Sequence, residues 1–561
     1  MEDGFMVAVL LSWLYIACIC TLIGLEMLGG VKSIKFSWTH YLVAGMIGIT
    51  VYAQFFSIFG RIGAVSHILL FAIALFCAYR RRDTLRKLWK TYAPVVCSWE
   101  GLFYACFILG IAFFTSRGEF HTDTNIYHAA AIRLYEEYGL IKGVGNLQLH
   151  FAYNSSYLAF AAMFSLRWLL GHSLHTTTGF LEVVMCLYAF HGLKDFKRHE
   201  NHIPDMMKIG ILFYTLVNIT RSMSPATDYA VMFFVFFILT AWCEANVSST
   251  DIRPYALLSI AAVFVATLKF SACMLVLLAV YPAVYLIKEK KWKDIAACLL
   301  CGCVILCPFL VRNYLISGWL LYPFEHIDIF HPEWKIPKEY LLIDANQIKV
   351  WGRCLYDTAK VDLPISKWLP VWWEHQFRYE QMFLGAVVLG AALQLFIWVV
   401  KAVKKEKFSL KYGILHITIW ANILVWFLMA PFIRYGLAFL FAVIMLAVGE
   451  CISMPKKGFA SLATGGLLFC ILVSVSPYWD QYVTDAGVFV KQNLKEPYYI
   501  TQKDYDSGNM QSLEINGNTI YYAADGIEIN SYHVCPGTCY PVMLERSTLI
   551  GDNIEDGFRA K

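Results

Sequence analysis

Apolar residues run in long blocks along this 561-residue chain, separated by short polar loops. A helix that crosses a bilayer needs about 20 mostly apolar residues. At that length the pattern predicts fourteen spans, with cores near 5–29, 38–60, 63–80, 91–115, 174–193, 205–222, 228–246, 254–269, 271–288, 293–312, 383–402, 411–431, 436–452 and 459–477. Three stretches are too long to be turns: 116–173, 313–382 and 478–561. Loops of that length usually carry function or a small domain. In the last stretch polar and apolar residues alternate around Asn516-Gly517, which is followed by Thr519-Ile520-Tyr521-Tyr522. Asn-Gly between such runs signals a hairpin. The expected architecture is an all-α polytopic membrane domain over 1–477 and a small α/β or β domain over 478–561.

Charge orients this map. Basic clusters follow only odd-numbered spans: Lys32 and Lys35, then Arg80, Arg81, Arg82, Arg86, Lys87 and Lys90, then Lys194, Lys197 and Arg198. Arg253 comes next, then Lys288, Lys290, Lys291 and Lys293, then Lys401, Lys404, Lys405 and Lys407, and finally Lys456 and Lys457. Cytoplasmic loops carry excess Lys and Arg, so both termini and all three long stretches are expected outside. The composition, 58% hydrophobic and 16% charged, excludes an ordinary soluble enzyme, which carries about 25% charge. No basic, aromatic-interleaved patch points to nucleic acid. Met1-Glu2-Asp3-Gly4 is acidic and precedes a run long enough to span, so no cleavable signal peptide is expected. Cys298, Cys301, Cys303 and Cys307 share one span and read as small hydrophobes. Cys535 and Cys539 lie in the polar tail, where an outside location allows a disulfide.

Candidate chemistry begins at Glu119-Phe120-His121-Thr122-Asp123-Thr124-Asn125-Ile126-Tyr127-His128, where the fourth span ends. A carboxylate beside imidazoles at a membrane face is a candidate general base, and desolvation there would raise its pKa. The competing reading is that Asp123 caps the helix that follows. That helix, Tyr127 to Tyr138, is expected along the membrane surface. A polar turn rich in Asn, Gln, His and Ser follows, including His150 and Asn154, suited to sugar hydroxyls. The apolar 157–170 is too short to span and is expected as a second surface or partly embedded helix. Charged and polar residues at span ends form a further set: Asp228, Lys269, Arg312, Asn313, Arg434 and Tyr435. Arg grips phosphate oxygens with a fork and Lys with a point charge; snorkelling or a structural ion pair with Asp228 is the alternative. Trp368, Trp372, Trp373, Glu374, His375 and Arg378 precede the eleventh span. They read as interface anchors, or as a sugar-stacking surface.

This layout resembles the GT-C class of integral membrane glycosyltransferases, in which an acidic residue lies in an outer loop with surface helices. Here Glu119 to Gly171 carries that order. More narrowly, DTNIYH, EEYGLIKGVGNL, FAYNSS, RNYLISGWLLYPF, EWKIP, APFIRYG and GDNIEDGFR resemble a bacterial family of largely uncharacterised polytopic membrane proteins. The resemblance implies a polyprenyl-phosphate sugar donor, a glycan or lipid-linked acceptor, inverting transfer and a bacterial cytoplasmic (inner) membrane. It makes Asp123 the catalytic base. Arg312 or Arg434 would contact phosphate. Beside what the resemblance implies, Glu119, His121, His128, His150, Asn154, Asp228, Lys269, Asn313 and Tyr435 are the candidate substrate-binding residues by their place in the chain. Many GT-C enzymes have two acids one residue apart; here His121-Thr122-Asp123 stands in that place, with Glu119 four positions before Asp123, so the resemblance fixes no cofactor and leaves a divalent cation open. A flippase or transporter, or a polymerase of lipid-linked saccharides, is the alternative.

Overall fold

The computed structural model describes residues 6–31, 34, 36–248, 251–406, 409–453, 464–474, 502, 505, 508–525, 527–530 and 532–561. Among them nine helices are long and apolar enough to cross a membrane, or ten if Ala64–Arg80 and Arg82–Val96, bent 82° at their junction, count as one broken span. The nine are Val7–Leu28, Trp38–Phe59, Trp99–Arg117, Thr227–Ala245, Phe270–Lys288, Trp292–Ser317, Arg378–Val403, Leu410–Met429 and Ile433–Ser453. The other expected spans correspond to shorter helices. Thr177–Leu193, Ile203–Asn218 and Arg253–Leu268 have 16 or 17 residues, about 24–26 Å against a hydrocarbon core of about 30 Å. The expected fourteenth span is described only as Thr464–Ser474; Lys32, Lys35, Lys407, Lys456, Lys457 and most of 475–507 lie outside the described residues. The expected fourth span also starts late. Residues 82–96, with Arg82, Arg86, Lys87 and Lys90, form a separate amphipathic helix with no buried residue, because charge at that spacing cannot enter an apolar interior.

Helix ends fall on two faces. The helix Trp38–Phe59 measures their separation: Trp38 donates its backbone N–H to Tyr92 (3.3 Å), beside the basic bend, and Ser57 near the other end accepts from Arg312 (2.6 Å). Its 22 residues span about 33 Å. One face gathers Glu26–Arg81 (2.8 Å), Lys208–Glu244 (2.7 Å), Lys401–Glu450 (3.4 Å) and Lys194–Glu100. The other gathers 118–176, the ends at Asp228, Lys269, Arg312 and Arg434, and the tail. Small residues let the first two helices touch: a Cβ on Gly24 would collide with the Tyr41 carbonyl, and one on Gly45 with that of Cys20. The core centres on Thr227–Ala245 and Ile433–Ser453, whose best 18-residue windows are 94% and 83% buried, whereas Trp292–Ser317 is 17% buried and turns Leu299, Leu300 and Val304 outward. Helices apolar on every side belong in such interiors.

Most of the two expected surface helices is core instead; only Trp168, Leu169 and Leu170, at the end of 157–170, are exposed. A π-helical turn, Thr124–His128, leads into Ala129–Glu137, where Ile132, Leu134, Tyr135 and even Glu136 are buried. All nine residues of Ser156–Phe164 are buried. Ala129–Glu137 packs on Ser156–Phe164, which packs in turn on Trp38–Phe59, so protein covers what a membrane surface would otherwise face. In the tail β1 (Met510–Ile515) and β2 (Asn518–Ala523) form the expected antiparallel hairpin, with Ile515 opposite Asn518. Asn516 and Gly517 both have positive φ, 53° and 77°, as a two-residue turn of this twist requires. β3 (Gly537–Thr538) adds parallel to β2, and β4 (Ser547–Leu549) pairs with β5 (Phe558–Ala560). Cys535 and Cys539 are free thiols.

The tail is fastened to the first long loop. Gln148 Oε1 accepts from Asn530 Nδ2 (3.1 Å) and from the Cys539 backbone (3.2 Å). The Asn530 N–H donates to the Asn125 carbonyl (2.8 Å), and that of Phe558 to Lys142 (2.9 Å). Asn146 Nδ2 reaches the carbonyl of Trp334 (2.9 Å) in the second long loop. All three long stretches therefore meet on one face.

Candidate functional site

The acidic turn is built against the start of a core helix. The backbone N–H of His121 donates to Ser224 Oγ (3.2 Å), whose hydroxyl also contacts Thr124 Oγ1 (2.6 Å). Three residues past Ser224, the helix Thr227–Ser248 begins, with Asp228 in its first turn. A carboxylate there is favoured by the helix dipole, but Asp228 is 2% exposed and a buried charge needs partners. It takes two. Lys269 pairs with Oδ1, and Arg434 Nε reaches Oδ2 (3.1 Å). The other arm of the same guanidinium, Nη2, reaches Asp123 Oδ2 (3.2 Å) and Tyr435 Oη (3.4 Å). Lys269 Nζ also lies 3.5 Å from the centre of the Tyr435 ring, a cation–π contact. One arginine thus bridges two carboxylates from different parts of the chain.

Asp123 stands at the N-terminus of the π turn, yet its side chain caps nothing; the carboxylate goes to Arg434. Burial pushes its pKa up, but neighbouring His121 and Arg434 outweigh burial and hold it below the usual carboxylate range. The raised pKa expected from desolvation is therefore reversed. His121 Nδ1 accepts from the Asp123 backbone N–H (3.1 Å), and burial lowers its pKa. Burial takes His128 down to about 3.

Asp123, Lys269, Arg434 and Tyr435 line a cavity of about 990 Å³. Leu268, Phe270, Met274, Phe309 and Met429 supply apolar wall; Glu528 and Tyr540 of the tail and helix Lys338–Gly352 of the second loop close it. His150 and Asn154 also reach it. Arg312 does too, but its guanidinium is committed to protein: Nη1 to Ser57 Oγ (2.6 Å) and the Gly139 carbonyl (3.2 Å), Nε to Asn154 Oδ1 (3.3 Å), with Tyr135 beneath it at 4.1 Å. Asn154 is held in turn by its bond to the Phe309 carbonyl (3.0 Å). Asn313 is 1% exposed and bonds Leu320 (3.1 Å). His128 is buried off the cavity wall, and Glu119 is exposed away from it. Trp368 and Trp372 are packed inside, Trp372 donating to the Pro431 carbonyl (3.0 Å), while Trp373, Glu374 and His375 face outward. None of these lines the cavity.

His121, Asp123 and Asp228 have donor atoms within 4.8 Å of one another, the spacing of a metal site. The set does not fit a divalent cation as it stands. Lys269 and Arg434 already balance both carboxylates, and an ion would have to displace Arg434 from Asp123 against two nearby positive charges. Several cavity residues are not candidates on the sequence alone, among them Tyr322, Asp344, Glu528 and Tyr540. Asp344 ends the short apolar run Leu341-Leu342-Ile343, and a lone acid there is the available signal.

No curated protein and no solved structure matches the chain. A family model described as Domain of unknown function (DUF8201) matches residues 6–441, a stretch that holds Asp123, Asp228, Lys269 and Arg434, and the chain belongs to that family.

Proposed function

We propose that this protein is a membrane glycosyltransferase of the GT-C class, moving a sugar from a polyprenyl-phosphate donor to a cell-surface glycan or lipid-linked acceptor. The reaction takes place at the outer face of a bacterial cytoplasmic membrane. The observation that carries this reading is the cavity that brings an ionised carboxylate, Asp123, and two cations, Lys269 and Arg434, under apolar walls.

The donor phosphate enters beside Lys269 and Arg434, its isoprenoid along the apolar side. Arg434 Nη2 exchanges Asp123 for a phosphate oxygen, so donor binding frees the carboxylate. Asp123 then removes the proton from an acceptor hydroxyl as that oxygen attacks the anomeric carbon. The bond from this carbon to the phosphate oxygen breaks, and polyprenyl phosphate leaves with the electron pair, its growing charge met by the two fixed cations. Asp228 touches neither partner; it positions Arg434 and Lys269.

The test is transfer by purified protein in liposomes, using radiolabelled polyprenyl-phosphate sugars and extracted envelope glycan. Asp123→Asn, checked for folding, is expected to lose about 10²–10⁴-fold in rate. Equal transfer by both proteins removes Asp123 from the mechanism. Donor binding without transfer by the wild type, whatever the acceptor, favours a transporter. Because Arg434 and Lys269 occupy the carboxylates, transfer is expected to persist after chelation with EDTA; loss of transfer reversed by a divalent cation would overturn the metal-free assignment.

A further inference from the structure

The cavity has a second pole. Asp344 is 2% exposed yet forms part of the wall. Its Oδ1 accepts from Tyr153 Oη and its Oδ2 from Tyr322 Oη, both at 2.9 Å. Among the described residues no Lys or Arg pairs with it; the nearest positive candidate is His150 Nε2 at 4.0 Å. A buried carboxylate without a counter-charge is costly, so packing alone is a poor reason for it. Each oxygen still has a lone pair to offer after taking one tyrosine hydroxyl. Beside it, Tyr127 and His150 stack with ring centres 5.1 Å apart and planes 26° apart, and Tyr540 of the tail packs on His150 at 5.7 Å. Tyr127 lies one turn beyond Asp123 on the same π-helical segment, so this pole adjoins the reaction site.

We propose that Asp344, with Tyr153, Tyr322 and the Tyr127–His150 platform, is the subsite that holds the donor's sugar ring. Carboxylate oxygens accept ring hydroxyls, and the aromatic faces cover the ring's C–H face. The phosphate lies at the Lys269–Arg434 pole and the sugar turns toward Asp344. This inference rests on the donor reading above and adds the part of the donor each pole recognises.

The experiment measures binding in nanodiscs. The probes are bare undecaprenyl phosphate and the same lipid carrying glucose, galactose, mannose or N-acetylglucosamine. The wild type is expected to bind at least one glycosylated lipid about tenfold or more tighter than the bare one. Asp344→Asn is expected to cut that preference by about 10- to 100-fold, the range for hydrogen bonds to a charged group, and to leave bare-lipid affinity unchanged. Tyr322→Phe, which keeps the ring and removes only a hydroxyl, serves if Asp344→Asn does not fold, and should lower the preference in the same sense. A preference unaltered in folded variants overturns the proposal, as does equal wild-type affinity for bare and glycosylated lipids; in both cases phosphate recognition stands. If the wild type binds none of these lipids, the donor reading falls and takes this inference with it.

Discussion

Arg312 and Arg434 occupy equivalent places along the chain, each at the end of an apolar run, and three-dimensional neighbours make them different. Arg312 satisfies Ser57, Asn154 and the Gly139 carbonyl, whereas Arg434 divides its fork between two acids and stays partly open to the cavity. Lysine keeps charge but cannot divide a fork. Arg434→Lys is therefore expected to lower kcat/KM for donor about 10- to 100-fold, with little change in unfolding temperature. Arg312→Lys is expected to do the reverse, costing about 1–3 kcal/mol of stability through unmatched buried acceptors, measured by thermal unfolding in detergent. Equal effects of the two on catalysis would erase the distinction.

At the scale of elements, the helix Ala129–Glu137 shows how coverage changes chemistry. Periodicity predicts Glu136 on a solvated face; in the fold it is 6% exposed, its oxygens accept from Ser173 Oγ at 2.8 and 2.9 Å, and Arg167 Nε is 3.8 Å away. Burial pushes its pKa up to about 7. The folded chain then binds this proton more tightly than the unfolded chain, so the contribution is complete below the unfolded value of about 4.3 and is lost as pH rises through 7. A shift of this size corresponds to on the order of 3 kcal/mol. Thermal unfolding should therefore show the wild type losing stability from pH 5 to pH 8. Glu136→Gln should flatten that slope and be the more stable protein at pH 8; an unchanged slope would show that Glu136 does not titrate in this window.

For the whole molecule, the separation of its two faces by one helix length is the property that gives the site a side of the membrane. Cysteines placed at Asp362 in the second loop and Asp525 in the tail, both exposed, are expected to react with an impermeant maleimide in intact cells, above the background of the native thiols. A cysteine at Lys87, on the basic bend, is expected to react only after the membrane is opened. Labelling in the opposite sense would turn the cavity toward the cytoplasm and rule out transfer at the outer face.

Much of this was legible along the chain, because burial in lipid requires long apolar runs and backbone hydrogen bonding within each helix. Those demands are local, so every predicted run has a helix within it, and the hairpin turn at Asn516-Gly517 follows from two residues that tolerate positive φ. The length at which a run becomes a full crossing was less legible: Ile203–Asn218 and Arg253–Leu268 give way to the 3-10 turns Ile219–Arg221 and Phe270–Ala279. The acids and cations of the site were visible as charges at the ends of apolar runs, since such charges are rarely retained without a partner. Which charge meets which was not. Asp123, Asp228 and Arg434 are separated by 105 and 206 positions, and only the packing of two largely buried helices beside the loop places one guanidinium between two carboxylates. Other long-range contacts turn Arg312, held by Ser57, Gly139 and Asn154, into a structural brace and set Asp344, held by Tyr153 and Tyr322, in the cavity wall. Each of these depends on neighbours distant in sequence, and local periodicity carries no information about them.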